Sequence, residues 1–186
     1  MAIDIVQATA RHASLLAELG ARTFRDTFGA DNTQADMDQY LASAFSADIQ
    51  ARELADPASV FLVARADDGA AAGYARLRFG ESPACVGGLR PVEIARFYVD
   101  RPWMGRGVGA ALMAAALELA SQRGCDVAWL DVWEKNARAI AFYSKWGFSV
   151  VGSQPFLLGE DMQNDLLMAR INKDFMPVKP STIVVK

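Results

Sequence analysis

The sequence MGRGVGAALMAAALELA, residues 104–120, places three glycines at alternate positions directly before an alanine- and leucine-rich run. Such glycines permit a tight turn and allow a ligand to approach the backbone closely. The run that follows predicts a helix from about Ala110, which Arg123-Gly124 would end with a basic last turn and a glycine stop. A helix of this kind directs backbone amides and the positive end of its dipole toward the turn. The stretch therefore favours an anionic group such as a pyrophosphate.

Two nucleotide-binding motifs compete for the same stretch. A Rossmann fold needs Gly-x-Gly-x-x-Gly directly after the first strand, with an acid about 20 residues later. The spacing to the last glycine does not match this motif, although Asp131 lies at roughly the distance required for the acid. The phosphate loop of nucleotide hydrolases needs Gly-Lys followed by Ser or Thr, and the chain contains no such sequence. Neither motif explains residues 130–148.

The rest of the chain alternates predicted strands and helices. Period-two hydrophobicity, turn residues and caps indicate the boundaries. Asp67-Asp68-Gly69 predicts a hairpin turn between two of the strands. Strands are predicted at 3–8, 60–66, 73–79, 92–99, 127–133, 148–158 and 165–171, and helices at 9–24, from residue 33, at 49–54, from residue 110 and at 137–146.

Length and composition predict one domain over 1–171 and a C-terminal tail over 172–186. The tail is expected to be an extra strand, a segment exchanged in a homodimer, or disordered. No apolar run approaches the roughly 20 residues that cross a bilayer, and the net charge of −3 argues against a nucleic-acid partner. Two distant cysteines and one histidine predict neither a disulfide framework nor a metal site. A cytoplasmic location without membrane contact is expected.

A second passage, LDVWEKN at residues 130–136, is followed by an aromatic-rich helix. Asn136 and Tyr143 are seven residues apart, and at about 100° per residue two helical turns bring them to nearly the same face. They can therefore serve one groove. The alternative is that Asn136 only caps the helix and Tyr143 belongs to the core.

Together the two passages resemble the coenzyme-binding motifs of the GNAT N-acetyltransferase superfamily. Its loop pattern is Gln or Arg, two residues, Gly, one residue, then Gly or Ala; Met104, Gly107 and Gly109 occupy those positions, so the first departs from the pattern. The chain is most similar to the PaiA-like branch, whose members include polyamine acetyltransferases. The marks of that branch are residues 132–136, residues 156–159 with Asp165 and Met168, and Thr23-Phe24 with Thr27-Phe28 ahead of Asn32-Thr33.

The resemblance implies an α/β (α+β) fold, with a mixed central sheet of about seven strands flanked by helices on both faces. The sheet would splay between the fourth and fifth strands, and the pantetheine of acetyl-CoA would lie in the gap as a pseudo-strand. The implied coenzyme-binding residues are Phe97, Tyr98, Val99, Met104, Gly105, Arg106, Gly107, Val108, Gly109, Ala110, Asn136, Arg138, Tyr143 and Lys145. For Arg106 and Lys145, a solvated basic face is the alternative.

The same resemblance implies the catalytic groups. A protonated amine cannot attack a thioester, so a base is needed, and Glu93, four residues before Phe97, is the candidate, acting directly or through water. The alternative is that Glu93 is an ordinary glutamate near the start of a strand. Tyr143 is the candidate acid that protonates the departing thiolate. Backbone amides near Tyr98 and Val99 would polarise the thioester carbonyl.

The acceptor is expected to be a small-molecule amine, with a polyamine suggested by the acids between Asp26 and Asp38. Phe28, Asp31, Asp36 and Glu93 are the candidate substrate-binding residues; the alternative is that the acids are solvated helix residues. Two other functions stay open: a protein or peptide N-terminal acetyltransferase, and a non-catalytic sensor that binds acyl-CoA.

Overall fold

The computed structural model describes residues 2–171, which form a mixed sheet with helices on both faces. The strands are β1 Ile3–Gln7, β2 Ser59–Ala66, β3 Ala71–Phe79, β4 Pro91–Val99, β5 Val127–Trp133, β6 Ser149–Leu158 and β7 Asp161–Ile171. The helices are α1 Ala13–Phe28, α2 Gln34–Ala44, α3 Ala47–Ala55, α4 Val108–Gln122 and α5 Ala137–Lys145. Short 3₁₀ turns lie at Ala10–His12 and Arg101–Trp103.

The strand order is β1-β2-β3-β4-β5-β7-β6, and every neighbouring pair is antiparallel except β4 and β5. The predicted mixed sheet of about seven strands, which parts between its fourth and fifth strands, is confirmed. The β4–β5 pairing covers only Pro91–Glu93 against Val127–Trp129. A register shift between β3 and β4 at Arg76/Leu77 marks a bulge immediately beyond this point. Past Glu93, the edge of β4 that faces β5 is therefore open.

Alternating side chains on β2 show how the sheet holds helices on both faces. Val60, Leu62 and Ala64 join the core cluster that contains α4, whereas Phe61 and Val63 join the cluster that contains α1. This follows from the two-residue period of a strand. The fold therefore has a face covered by α4 and α5 and a face covered by α1, α2 and α3.

Strand β7 begins four residues before its predicted start. A two-residue turn, Gly159-Glu160, pairs Leu158 with Asp161, and Gly159 adopts a φ of 62° that favours glycine. The Glu160 amide donates to Asp36 Oδ1 at 2.7 Å, which fastens the turn to α2. The first residues of β7 are mostly polar, so the hydrophobicity pattern of the sequence does not indicate where the strand begins.

The predictions for the tail, residues 172–186, lie outside the described residues. Within residues 2–171, no helix combines the length and the apolar character needed to cross a membrane. The predicted homodimer stays a prediction.

Candidate active site

A cleft of about 540 Å³ opens where β4 and β5 part. Its walls come from both faces of the sheet, so it passes through the gap between the strands. Of the predicted coenzyme residues, those that line it are Phe97, Tyr98, Val99, Met104, Gly105, Gly107, Gly109, Ala110, Asn136, Arg138 and Tyr143. The two passages singled out in the sequence therefore meet at one cleft.

The glycine turn is shaped to receive a ligand closely. Gly105 and Gly107 have φ values of 74° and 85°, a region that glycine adopts far more easily than other residues. A Cβ on either glycine would meet nothing within 4 Å, so the space above the turn is open. Gly107 is the N-cap of α4, whose first amide groups lack partners within the helix. This arrangement suits the pyrophosphate of a coenzyme.

Replacing Gly107 with alanine should destabilise the protein. The new Cβ makes no clash, so the expected loss of about 1 kcal/mol in the free energy of unfolding comes from the left-handed backbone alone. Urea denaturation measures this loss. Gly109→Ala is the matched control because Gly109 has no positive φ and its Cβ would touch the Phe142 ring at an ordinary 3.6 Å. Equal losses in the two variants would contradict the backbone explanation.

On the opposite wall, α5 carries the predicted acid. Tyr143 is buried and its ring packs against those of Phe97, Phe142 and Phe148, with centroid distances of 5.6–6.1 Å. Burial, with a smaller contribution from the charge of Asp131, raises the pKa of Tyr143 well above its ordinary value. The phenol is therefore held in its protonated form at neutral pH, as a proton donor must be.

Asn136 caps α5 and also lies on the wall of the cleft. Its side-chain oxygen accepts from the Ala139 amide at 3.1 Å, as the side chain of an N-cap residue does. The neighbouring Arg138 is exposed and lines the same wall.

Glu93, the predicted base, is buried at the edge of the gap between β4 and β5 and is not among the residues that line the cleft. It occupies the last β4–β5 pair, opposite Trp129, and is only 5% exposed. Arg78 on β3 donates to its Oε2 from Nε at 2.6 Å. Burial raises the pKa of Glu93, while the Arg78 charge opposes the rise. Glu93 therefore lies at the point where the two strands begin to part.

The remaining predicted residues lie away from the cleft, with one exception. Phe28 lines it, whereas Asp31 is exposed outside it and Asp36 is engaged by Thr33 and the Glu160 amide. Val108 is buried in the core, the guanidinium of Arg106 lies 5.8 Å from the Trp103 ring, and Lys145 is exposed. Within residues 2–171, no group of three or more His, Cys, Asp or Glu is placed to hold a metal ion.

Two acids in the cleft are not among the site residues predicted from the sequence. Asp131 on β5 and Asp165 on β7 both line the cleft. Each is the only charged residue in a mostly apolar run, VAWLDVW (127–133) and DLLMA (165–169). A charge inside a buried strand is the signal that could have identified them, because unpaired charges are rarely placed there.

Comparison with known proteins agrees with the resemblance seen in the sequence motifs. Residues 21–148 match the model of the acetyltransferase (GNAT) family. The chain is 32% identical over 168 residues to an uncharacterised N-acetyltransferase of Lactobacillus delbrueckii subsp. lactis, covering 90% of this chain and 96% of that protein. It is also 32% identical to the spermine/spermidine N(1)-acetyltransferase of Bacillus subtilis, but only over 66 residues, 35% of this chain and 43% of that protein.

Among solved structures, the PaiA N-acetyltransferase of Thermoplasma acidophilum, determined in complex with coenzyme A, superposes with a TM-score of 0.74. The match covers 92% of this chain and all of that one, at 19% identity. At this identity the likeness establishes the fold alone.

Proposed function

The chain belongs to the GNAT acetyltransferase family, and from this premise we propose that it transfers the acetyl group of acetyl-CoA to a primary amine of a small molecule, in a ternary complex. Family and relatives identify it as an N-acetyltransferase. The observation that carries the proposal is the parting of β4 and β5 after Glu93, which opens one cleft to both the glycine turn and Tyr143. A cytoplasmic location is part of the proposal.

Acetyl-CoA supplies an activated acetyl thioester. The open edge of β4, where Phe97 and Val99 lie, offers main-chain groups with which a pantetheine arm could pair as a strand. Residues 104–110 would hold the pyrophosphate, with charge from Arg138 on the facing helix. Arg106 and Lys145, whose side chains are exposed, would add positive charge near the phosphates.

In this proposal, Tyr143 protonates the departing thiolate. Its place on the cleft wall beside Phe97 supports that role, and burial keeps the phenol protonated, so that it has a proton to give. Glu93 stays the base proposed from sequence; its burial and its absence from the cleft lining favour action through water. Amides near Tyr98 and Val99 would polarise the thioester carbonyl.

A polyamine is the proposed acceptor. Support comes from the acids Asp131 and Asp165 in the cleft, from the negative net charge, and from the short match to the spermine/spermidine acetyltransferase. Asp36 supports polyamine binding less than the sequence suggested, because its carboxylate already accepts hydrogen bonds from the Glu160 amide and the Thr33 hydroxyl. An N-terminal acetyltransferase and a non-catalytic acyl-CoA sensor are the competing functions.

A panel of amines tests the acceptor. Purified protein with acetyl-CoA is assayed for thiol release with spermidine, amino acids, aminoglycosides and peptides. We expect saturable turnover with spermidine, at a kcat/KM at least tenfold above those for the amino acids and peptides, because the cleft holds two carboxylates that favour a cation. Turnover with peptides alone would support the N-terminal acetyltransferase, and no turnover with spermidine would exclude the polyamine.

A further inference from the structure

The part of the cleft that faces α1 and α2 is walled by aromatic rings. Phe28 and Trp133 make an edge contact with centroids 6.0 Å apart, and Tyr40 and Phe156 make another at 5.4 Å. All four residues line the cleft. Ring faces attract cations, and the effect strengthens when water is excluded. This chamber therefore suits an ammonium group carried on an aliphatic chain.

Two carboxylates lie among these rings. In the β5–β7 ladder, Asp165 pairs with Trp133 and Asp131 pairs with Leu167. The two acids are therefore diagonal neighbours on one face of the sheet, with their Cα atoms about 7–8 Å apart. Leu130, Val132 and Met168 join the core on the opposite face. The acids therefore face α1 and α2, across the sheet from the glycine turn.

The two carboxylates differ in their hydrogen bonds. Gln154 donates to Asp131 Oδ2 at 3.2 Å. Asp165 is only 7% exposed, and its buried Oδ1 has no hydrogen-bond partner among residues 2–171. A buried carboxylate oxygen without a donor is unfavourable, and a bound ligand cation would supply the missing donor.

We propose that Asp165 Oδ1 receives the ammonium of the acceptor amine and accepts its proton, with Asp131 holding the cation beside it. This inference rests on the amine acetylation proposed above. It assigns the direct proton transfer to Asp165, in competition with a transfer from the amine to Glu93 through water.

The electrostatic surroundings agree with this role. Burial, followed by the charges of Asp131 and Glu134, raises the pKa of Asp165 to about 7. Tyr40 faces both acids from α2, and Arg78 on β3 partly offsets the charge on Asp131. A base whose pKa is near the working pH combines a deprotonated fraction with useful basicity.

An N–H bond of the ammonium breaks and an O–H bond forms at Asp165, which frees the nitrogen lone pair to form the C–N bond with the thioester carbonyl carbon. The C–S bond then breaks and the thiolate takes the Tyr143 proton. The second proton of the attacking nitrogen restores the phenol, and Asp165 releases its proton to water.

The activity test compares Asp165→Asn with Glu93→Gln, using the best amine of the panel. For Asp165→Asn we expect kcat to fall by about 100-fold or more and the loss to shrink at high pH, where the amine loses its proton unaided. In the wild type, kcat/KM should fall as the pH drops below about 7, because Asp165 is then protonated. Asp165→Asn should lose this acid limb, whereas Glu93→Gln should keep it.

A second readout does not depend on turnover. An aspartate titrates near pH 4 in an unfolded chain and Asp165 near 7 in the folded one, so ionising it opposes folding as the pH rises through this window. The unfolding temperature of Asp165→Asn should therefore exceed that of the wild type by a margin that grows from pH 5 to pH 8. Asp161→Asn, exposed on the same strand, is the control and should show no such growth and unchanged activity.

Each outcome decides the proposal. Two results would overturn the role of Asp165 without affecting the proposed function. One is turnover by Asp165→Asn with the acid limb intact, and the other is an acid limb that is lost only in Glu93→Gln. Loss of CoA binding by Asp165→Asn, measured by calorimetry, would mean that the variant disrupts the fold or the coenzyme site, and it would also overturn the assignment. Wild-type protein that turns over no amine overturns the proposed function and, with it, this inference.

Discussion

Tyr143→Phe is expected to lower kcat for amine acetylation by about 100-fold or more, the usual range for loss of a positioned acid. The change removes one oxygen and keeps the ring that packs against Phe97, Phe142 and Phe148. KM for acetyl-CoA should therefore change little. Steady-state kinetics with the preferred amine, together with calorimetric titration of CoA, separate the two effects.

Tyr74→Phe is the matched control. Tyr74 is also a buried tyrosine, its hydroxyl has no hydrogen-bond partner among residues 2–171, and it does not line the cleft. Its kcat should equal that of the wild type. An unchanged kcat in Tyr143→Phe, or an equal loss in both variants, would remove Tyr143 as the acid.

Glu53→Gln is expected to produce the largest loss of stability. Glu53 on α3 accepts from Arg76 Nη1 at 2.6 Å and from two nitrogens of Arg96, and the side chains of both arginines are at most 12% exposed. Burial already lowers the pKa of Arg76. Without the carboxylate, two buried guanidinium groups lose their counter-charge, and the free energy of unfolding should fall by about 3–5 kcal/mol.

Urea denaturation followed by circular dichroism measures the change. Asp38→Asn is the control, because its pair with Arg25 is about half exposed on both sides and solvent screens it. That variant should unfold like the wild type within experimental error. A loss in Glu53→Gln as small as in Asp38→Asn would show that the buried network contributes little to stability.

Much of the fold was predictable because its determinants are local. The glycine turn before α4, the cap of α5 at Asn136 and the Asp67-Asp68-Gly69 turn between β2 and β3 each act within a few residues, and each adjoins the expected element. The start of β7 was missed because pairing with β6, not hydrophobicity, determines it.

The candidate site was only half predictable. The side proposed for the coenzyme is built from two continuous motifs, whereas the side proposed for the acceptor brings together α1, α2, β5, β6 and β7. Asp131 and Asp165 are 34 positions apart and become neighbours only through the β5–β7 ladder. Glu93 was chosen from its position on β4, and only the structure reveals that Arg78 already engages it.

The stoichiometry of amine acetylation by the wild-type protein tests directly whether the protein transfers acetyl groups to amines. Thiol release from acetyl-CoA and the acetylated amine, identified by mass spectrometry, are measured together over a range of spermidine concentrations. The proposed function predicts saturable release with one acetylated amine formed per thiol, and at least 100-fold slower release by Tyr143→Phe. Tight CoA binding without amine-dependent thiol release, for spermidine and every other amine of the panel, would contradict it and indicate a sensor.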